Sequence, residues 1–315
     1  MNPTEWPPMD QSSTPFPPVP ASPQLVALDA PLSRRGVITI AGDDRLAFLQ
    51  GLVSNDVTHV RADRAIWAAF LTAQGKYLFD FFVTEGDGAF RLDLEADRAG
   101  DFLKRLKLYK LRSKVELAEV TEGLKAFAVI GEGAAERFGL SAEAGAAKAF
   151  GDGVAFVDPR LAEAGVRILT TEDSALAALG LPMAEAATYD RLRIALGLPD
   201  ASRDLLVDKT TLLEAGFDEL RGIDWQKGCY MGQELTARTK YRGLIKKRLM
   251  PVRFDGPTPE AGTAVLAEDR DAGEVRSSAG DLGLAFLRLD ALGGGAALTA
   301  GTATLHPLKP AWANF

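Results

Sequence analysis

Residues 224–239 read DWQKGCYMGQELTART and hold the only cysteine of the 315-residue chain. Gly228 and Gly232 flank it, and glycine lets the backbone turn sharply enough to present Cys229 instead of burying it. Lys227 puts a positive charge next to the sulfur, and a helix beginning near Gln233 adds the partial charge of its free N–H groups. Both favour the thiolate, the reactive form of the side chain. Gln233 and Glu234 are placed to anchor the loop through hydrogen bonds to its backbone. A free cysteine is most often a small buried hydrophobe, and the residue types around this one leave both readings open. A Cys–His pair has little support in the sequence, since only His59 and His306 exist and neither neighbours Cys229, although either could approach it in space.

One thiol excludes an internal disulfide, a closed zinc site and a four-thiolate cluster held by one chain, so no metal site is predicted. With 47% hydrophobic and 25% charged residues, the chain can bury a full core in about two domains. No apolar run approaches the ~20 residues of a membrane span, and the first basic residue is Arg34. The expectation is a cytoplasmic protein with no membrane partner. A net charge of -7 argues against a general nucleic-acid coat.

Two basic clusters interrupt that acidic background. Lys104, Arg105, Lys107, Lys110, Arg112 and Lys114 come without an acid, and between Lys227 and Arg248 seven basic residues, Arg238 among them, face only Glu234. Tyr109, Tyr230 and Tyr241 add flat surfaces on which a ring can stack. A solvated face is the plain reading of either cluster. An anionic, partly aromatic ligand also suits them: a folate with its glutamate tail, or single-stranded nucleic acid.

The elements that must position these residues are legible in outline. Eight of the 17 prolines fall within residues 1–24, which predicts a disordered arm. In DDRLAFLQGLVSNDV, Leu46, Phe48 and Leu49 fit the apolar face of a short helix, with Asp43 or Asp44 as cap. Strands are predicted at 65–71, 77–84, 89–94, 114–119, 125–130 and 165–169, and a helix at 99–108. This irregular mixture favours α+β over a doubly wound parallel sheet. From residue 246, RLMPVRF, TAVLAE, GEVRSS, LGLAFLRL and TATLHP suggest a small β-barrel or sandwich. AFAVIGEGAAERFG places Gly131 and Gly133 after a strand, as a dinucleotide fingerprint would, but Glu136 stands where the third glycine belongs and its charge would meet the pyrophosphate. A strand, a turn and a short helix suffice there.

KGCYMGQE resembles the K-G-C-[FY]-x-G-Q-E signature of the YgfZ family, folate-binding proteins implicated in iron–sulfur cluster maturation and related to the glycine-cleavage T-protein. The resemblance runs back through LLEAGFDELRGIDWQKG and YDRLRIALGLP, forward through ARTKYRG, and reaches DRLAFLQGLVSNDV, LTAQGKYLFDFFV and GEVRSSAGDLGLAFLR. It implies α+β units around a central channel over 25–245, holding tetrahydrofolate, and a C-terminal β-barrel over 246–315. It further implies Cys229 as a functional thiol with Lys227 as its electrostatic partner. LLEAG is similar to the T-protein segment whose glutamate contacts the pterin, which makes Glu214 the folate-binding candidate. Gln233, Glu234 and Arg238 complete the expected folate-side set, and the partners would be iron–sulfur client enzymes or assembly proteins. The alternative is a tetrahydrofolate-dependent aminomethyl or one-carbon transferase working through Asp80. Against it, Phe79-Asp80 replaces the T-protein Asp-Asp pair, and Leu94, Glu95 and Ala96 replace its Val-Asn-Ala.

Overall fold

The computed structural model describes residues 19–29, 34–293 and 295–314. The Pro-rich arm expected over 1–24 lies outside the described residues as far as residue 18. Val19 packs against the central core and the Glu132 N–H donates to Pro20 O, so the described end of that arm is seated on the fold.

After β1 (Gln24–Ala27) come β2 (Arg35–Ala41), α1 (Arg45–Gln50), β3 (Ile66–Leu71), β4 (Tyr77–Gly86), β5 (Ala89–Glu95), α2 (Ala99–Lys110) and β6 (Glu116–Glu119). They form a five-stranded sheet in the order β3-β4-β5-β2-β6. A second sheet of six strands takes in β1 with β7 (Lys125–Ile130), β8 (Ala147–Phe150), β9 (Gly153–Val157), β10 (Val166–Thr170) and, after α3 (Asp173–Ala178), β11 (Met183–Ala184). Three helices follow: α4 (Ala186–Ala195), α5 (Ala201–Asp204) and α6 (Gln233–Tyr241). The chain ends in β12 (Lys247–Asp255), β13 (Ala264–Ala267), β14 (Arg270–Ala279), β15 (Leu282–Arg288), α7 (Leu289–Leu292), β16 (Leu298–Ala300) and β17 (Ala303–Pro307). These strands close into a barrel in the order β12-β15-β14-β13-β16-β17. The α+β class and the C-terminal barrel are thus as expected.

β3 is apolar at every position because both of its faces are covered. Successive side chains point to opposite sides of a strand, so Ile66, Ala68 and Phe70 enter the core beneath α1 and α2, while Trp67, Ala69 and Leu71 enter the central core between the sheets. On α2, Ala99, Phe102 and Leu106 recur at helical spacing and are buried. Phe102 stacks on Phe79 at 4.7 Å and on Phe81 at 5.0 Å. Burial of each such side chain contributes about 1.5–3 kcal/mol.

Three local expectations are corrected. The Asp44 carboxylate does not cap α1, because it accepts the Lys114 N–H at 2.7 Å. Leu46 is exposed, so the buried face of that single-turn helix is Phe48 and Leu49. β16, which the sequence reading omits, completes the barrel between β13 and β17. After β7 the chain turns at Gly131 and Gly133 into one 3-10 turn over Glu136–Phe138, so no helix stands there to receive a pyrophosphate. Among the described residues no helix is long and apolar enough to cross a membrane.

Candidate functional site

The thiol loop runs from Asp224 to Gly232 and is fixed at both ends. At its start, Asp224 Oδ1 accepts the backbone N–H groups of Gln226 and Lys227 at 2.7 and 3.0 Å. Both the preceding chain and the loop are stitched to residues 51–55: Ser54 Oγ donates to Gly222 O, Asn55 Nδ2 donates to Arg221 O, and within the loop the Met231 N–H donates to Gly51 O. At its end, Gln233 Oε1 accepts the Tyr230 N–H at 3.1 Å. Gly232 adopts φ 80, and a Cβ there would lie 2.4 Å from Thr72 O and 3.0 Å from Gly75 Cα. The loop is therefore seated directly on the turn between β3 and β4. Cys229 is exposed at the top of this platform, which rules out the buried-hydrophobe reading.

Gly232 meets the conformational expectation and Gly228 does not. Gly228 lies outside the left-handed region, with no heavy atom within 4 Å of a Cβ built on it. Lys227 also departs from its expected role. Its ammonium donates to Gln50 O at 2.9 Å, Val53 O at 2.6 Å and Asn55 O at 2.7 Å, which uses all three N–H groups. The charge sits in a ring of carbonyls and ties the loop to the end of α1. Burial pushes this ammonium down to about 8, while Asp56 and Asp224 pull the other way. Of the expected anchors, Gln233 holds the loop, whereas Glu234 is exposed and has no side-chain partner among the described residues. Arg238 is likewise exposed on α6.

His59 lies beside Asp224, at the start of the loop. Its Nδ1 lies 3.9 Å from Asp224 Oδ2, and with Asp56 these residues bring three potential ligand atoms within 4.8 Å of one another. Cys229 is not part of that group.

A cavity of about 340 Å³ lies between the two sheets and α4, within the range of small-molecule sites. Asp80 of β4 is its buried acid, accepting Trp67 Nε1–H at 3.0 Å and Tyr77 Oη–H at 2.8 Å. Burial raises the Asp80 carboxyl above its ordinary value, against the opposite pull of these two hydrogen bonds. The Phe82 ring forms one wall, with the Arg167 guanidinium 4.4 Å and the Arg160 guanidinium 5.0 Å from its centroid. Asp93 bridges the sheets by accepting from Arg35 of β2 at 2.6 Å and from Arg167 of β10 at 3.1 Å. Arg167 also donates to Tyr189 Oη at 3.1 Å, yet its buried Nε has no acceptor among the described residues.

None of Glu214, Gln233, Glu234 and Arg238 lines this cavity. Glu214 Oε2 is occupied locally, accepting the Thr211 N–H at 3.0 Å as part of a capping box. The residues that line the cavity, Arg35, Arg160, Arg167, Tyr189 and Arg193, were not singled out from sequence. Asp80 was named from the sequence, as the acid of the alternative reading; a signal for Arg167 was available too, since both are charges inside otherwise apolar strands, YLFDFFV and VRILT, and charged residues are rarely fully buried unless paired.

Residues 246–315 match the family model of the CAF17 C-terminal beta-barrel domain. The human mitochondrial iron-sulfur cluster assembly factor IBA57 is 34% identical over 277 residues, covering 81% of this chain and 76% of the human protein. This chain belongs to the IBA57 family. The mouse IBA57 is 32% identical over 285 residues, covering 84% of this chain and 78% of its own, and the homologue from Phaeosphaeria nodorum is 30% identical over 298 residues, with 83% and 70% covered. The fold is similar to that of glycine cleavage system aminomethyltransferase T from Bartonella henselae, with a TM-score of 0.71 over 92% of this chain and 85% of that one at 15% identity. The resemblance expected from KGCYMGQE is thus met at the level of an iron–sulfur assembly-factor family with a T-protein-like fold. The expected cytoplasmic location is corrected: these IBA57 relatives are mitochondrial proteins.

Proposed function

We propose that this IBA57-family protein assists the assembly or repair of iron–sulfur clusters in client enzymes, with the Cys229 thiol as its working group and a reduced folate bound between the sheets. The observation that carries the reading is the exposed thiol on a loop pinned by Lys227, Gln233 and Gly232. A side chain kept for packing would not be displayed on so rigid a support.

The cavity residues fit a folate. The Asp80 carboxylate can accept paired N–H groups from an aminopyrimidine edge, the Phe82 ring offers a flat face, and the acceptor-free Arg167 Nε calls for an oxygen. Folate would supply a one-carbon or redox-active ring. The chain's own residues would orient that ring and screen it from water. Asp80, in place of Glu214, is therefore the main pterin contact in this reading. Titration of tetrahydrofolate into wild type, Asp80→Asn and Glu214→Ala by calorimetry tests it: Asp80→Asn should weaken binding about ten-fold or more, the loss of a charge-assisted contact of about 1.5–3 kcal/mol. Equal affinity in wild type and Asp80→Asn would contradict it.

A second reading, a tetrahydrofolate-dependent one-carbon transferase, is favoured by the raised Asp80 carboxyl, since a buried acid with a shifted proton affinity suits general acid–base work. Turnover of an aminomethyl donor that disappears in Asp80→Asn but survives in Cys229→Ala would establish it over the first.

A further inference from the structure

We infer that the end of α2, the Cys229 loop and the end of α6 together form a docking surface for an acidic protein. The inference deepens the Cys229 reading and rests on it for what the partner receives. Among the described residues, ten large hydrophobic side chains are exposed, and five of them, Leu108, Tyr109, Leu111, Tyr241 and Leu244, fall within residues 104–114 and 238–248. Leu108, Leu111 and Tyr241 are 74%, 88% and 77% exposed. These two short stretches carry six basic residues each and no acid, in a chain of net charge -7; Arg248 is buried against Glu219, and Lys104 and Lys240 are ion-paired with Asp101 and Asp218, so the exposed positive rim is chiefly Arg105, Lys107, Arg112, Lys114, Arg238, Arg242 and Lys246. Isolated exposed leucines are ordinary, but apolar side chains gathered within a rim of charge mark an interaction site.

Both patches adjoin the thiol loop. The Tyr109 ring packs edge-on against Phe70 at 5.9 Å, Phe70 pairs with Val53, and Val53 O accepts from Lys227. Met231, two residues after Cys229, packs into the core that holds Phe102 and Leu106 of α2. On the other side the Tyr241 ring meets Trp225 edge-on at 6.3 Å, and α6 itself starts at Gln233.

Charge complementarity chooses the occupant. A second copy of this chain on a two-fold axis would set one basic rim against another. Single-stranded RNA is recognised by stacking on aromatic faces, but the Tyr109 and Tyr241 rings already pack edge-on against Phe70 and Trp225, and Leu108, Leu111 and Leu244 offer no ring. A bilayer offers a thiol neither a ligand nor an acceptor. An acidic protein with an apolar contact at its centre satisfies the charges, the leucines and the position of Cys229.

The test places photo-reactive benzoylphenylalanine at Leu111 or Tyr241 of the full chain, with Leu266 on the barrel as control, in extract from cells that make the protein. The adduct is identified, purified as a separate protein and titrated against wild type, Leu108→Ser/Leu111→Ser and Lys107→Glu/Arg112→Glu. The expected result is one acidic protein captured at both patch positions and not at Leu266, binding more weakly as salt rises. Each double variant should weaken it by about ten-fold or more while melting and binding tetrahydrofolate like wild type. The inference is overturned by adducts no stronger than at Leu266, by a basic or neutral partner, or by a partner whose affinity ignores both double variants. It is equally overturned if single-stranded RNA or phosphatidylcholine–cardiolipin vesicles bind through these residues instead. Cys229→Ala should bind the same partner as wild type does. If that variant also supports full cluster-enzyme activity, the thiol reading fails while the docking surface stands.

Discussion

Alanine at the two glycines flanking Cys229 should give opposite results, although the sequence treats them alike. At Gly232, φ 80 costs an alanine about 1–2 kcal/mol. The added Cβ would stand 2.4 Å from Thr72 O and 2.9 Å from Leu71 Cβ. These atoms belong to the β3–β4 hairpin, which cannot yield as a flexible side-chain tip would. Overpacking of this kind costs about 1–3 kcal/mol, so Gly232→Ala should lose about 2–5 kcal/mol in all. At Gly228 neither cost arises, because the residue is exposed and a Cβ meets nothing within 4 Å. The expected change is within about 0.5 kcal/mol. Urea unfolding reads both, as a fall in midpoint at constant slope for Gly232→Ala and no shift for Gly228→Ala. Gly75→Ala should resemble Gly232→Ala, since its Cβ would lie 2.6 Å from Gly232 O, and the double variant should cost less than the sum because the two share one contact. Equal losses at 228 and 232, or none at 232, would refute the seating of the loop on the hairpin.

Lys227→Met keeps the stem and removes the three donors, leaving the carbonyls of Gln50, Val53 and Asn55 unpaired; a loss of at least about 2 kcal/mol in urea unfolding is expected, and an unchanged midpoint would contradict the tie. Asp80 gives a pH signature: its carboxyl is raised from 3.8 on folding, so the native state holds more proton and stability falls as pH rises from about 3.8 through the folded value. Asp80→Asn should remove that slope, since the amide oxygen accepts from Trp67 and the Tyr77 hydroxyl can turn to accept from the amide. Thermal melts of the two proteins across that range read it directly, and parallel pH profiles would count against the assignment. Cys229→Ala should change stability by less than about 1 kcal/mol, because the side chain is exposed, whereas a large drop in melting temperature would show that it packs.

The strands of the first sheet were legible because β3 and β4 are long apolar runs cut by the turn at Gly75, and α2 because Phe102 and Leu106 recur at helical spacing. β16 was not, since three residues after a run of glycines carry too little periodicity to register. In the site, Cys229 declared itself by being alone between glycines. Lys227 did not reveal its work, because its acceptors lie about 170 residues away in sequence and belong to the backbone. The cavity was hidden for a similar reason. Arg35, Asp80, Arg167 and Tyr189 come together only through strand register and the packing of two sheets. A buried arginine in a sequence looks like any surface arginine until its partner, here Asp93, is known.

The central claim is that the displayed thiol serves iron–sulfur cluster assembly. Its most direct test is the activity of cluster-dependent enzymes in cells lacking this protein and supplied with wild type or Cys229→Ala at matched, folded levels. Wild type should restore those activities and Cys229→Ala should leave them at the level of the deletion. Full restoration by Cys229→Ala would contradict the account.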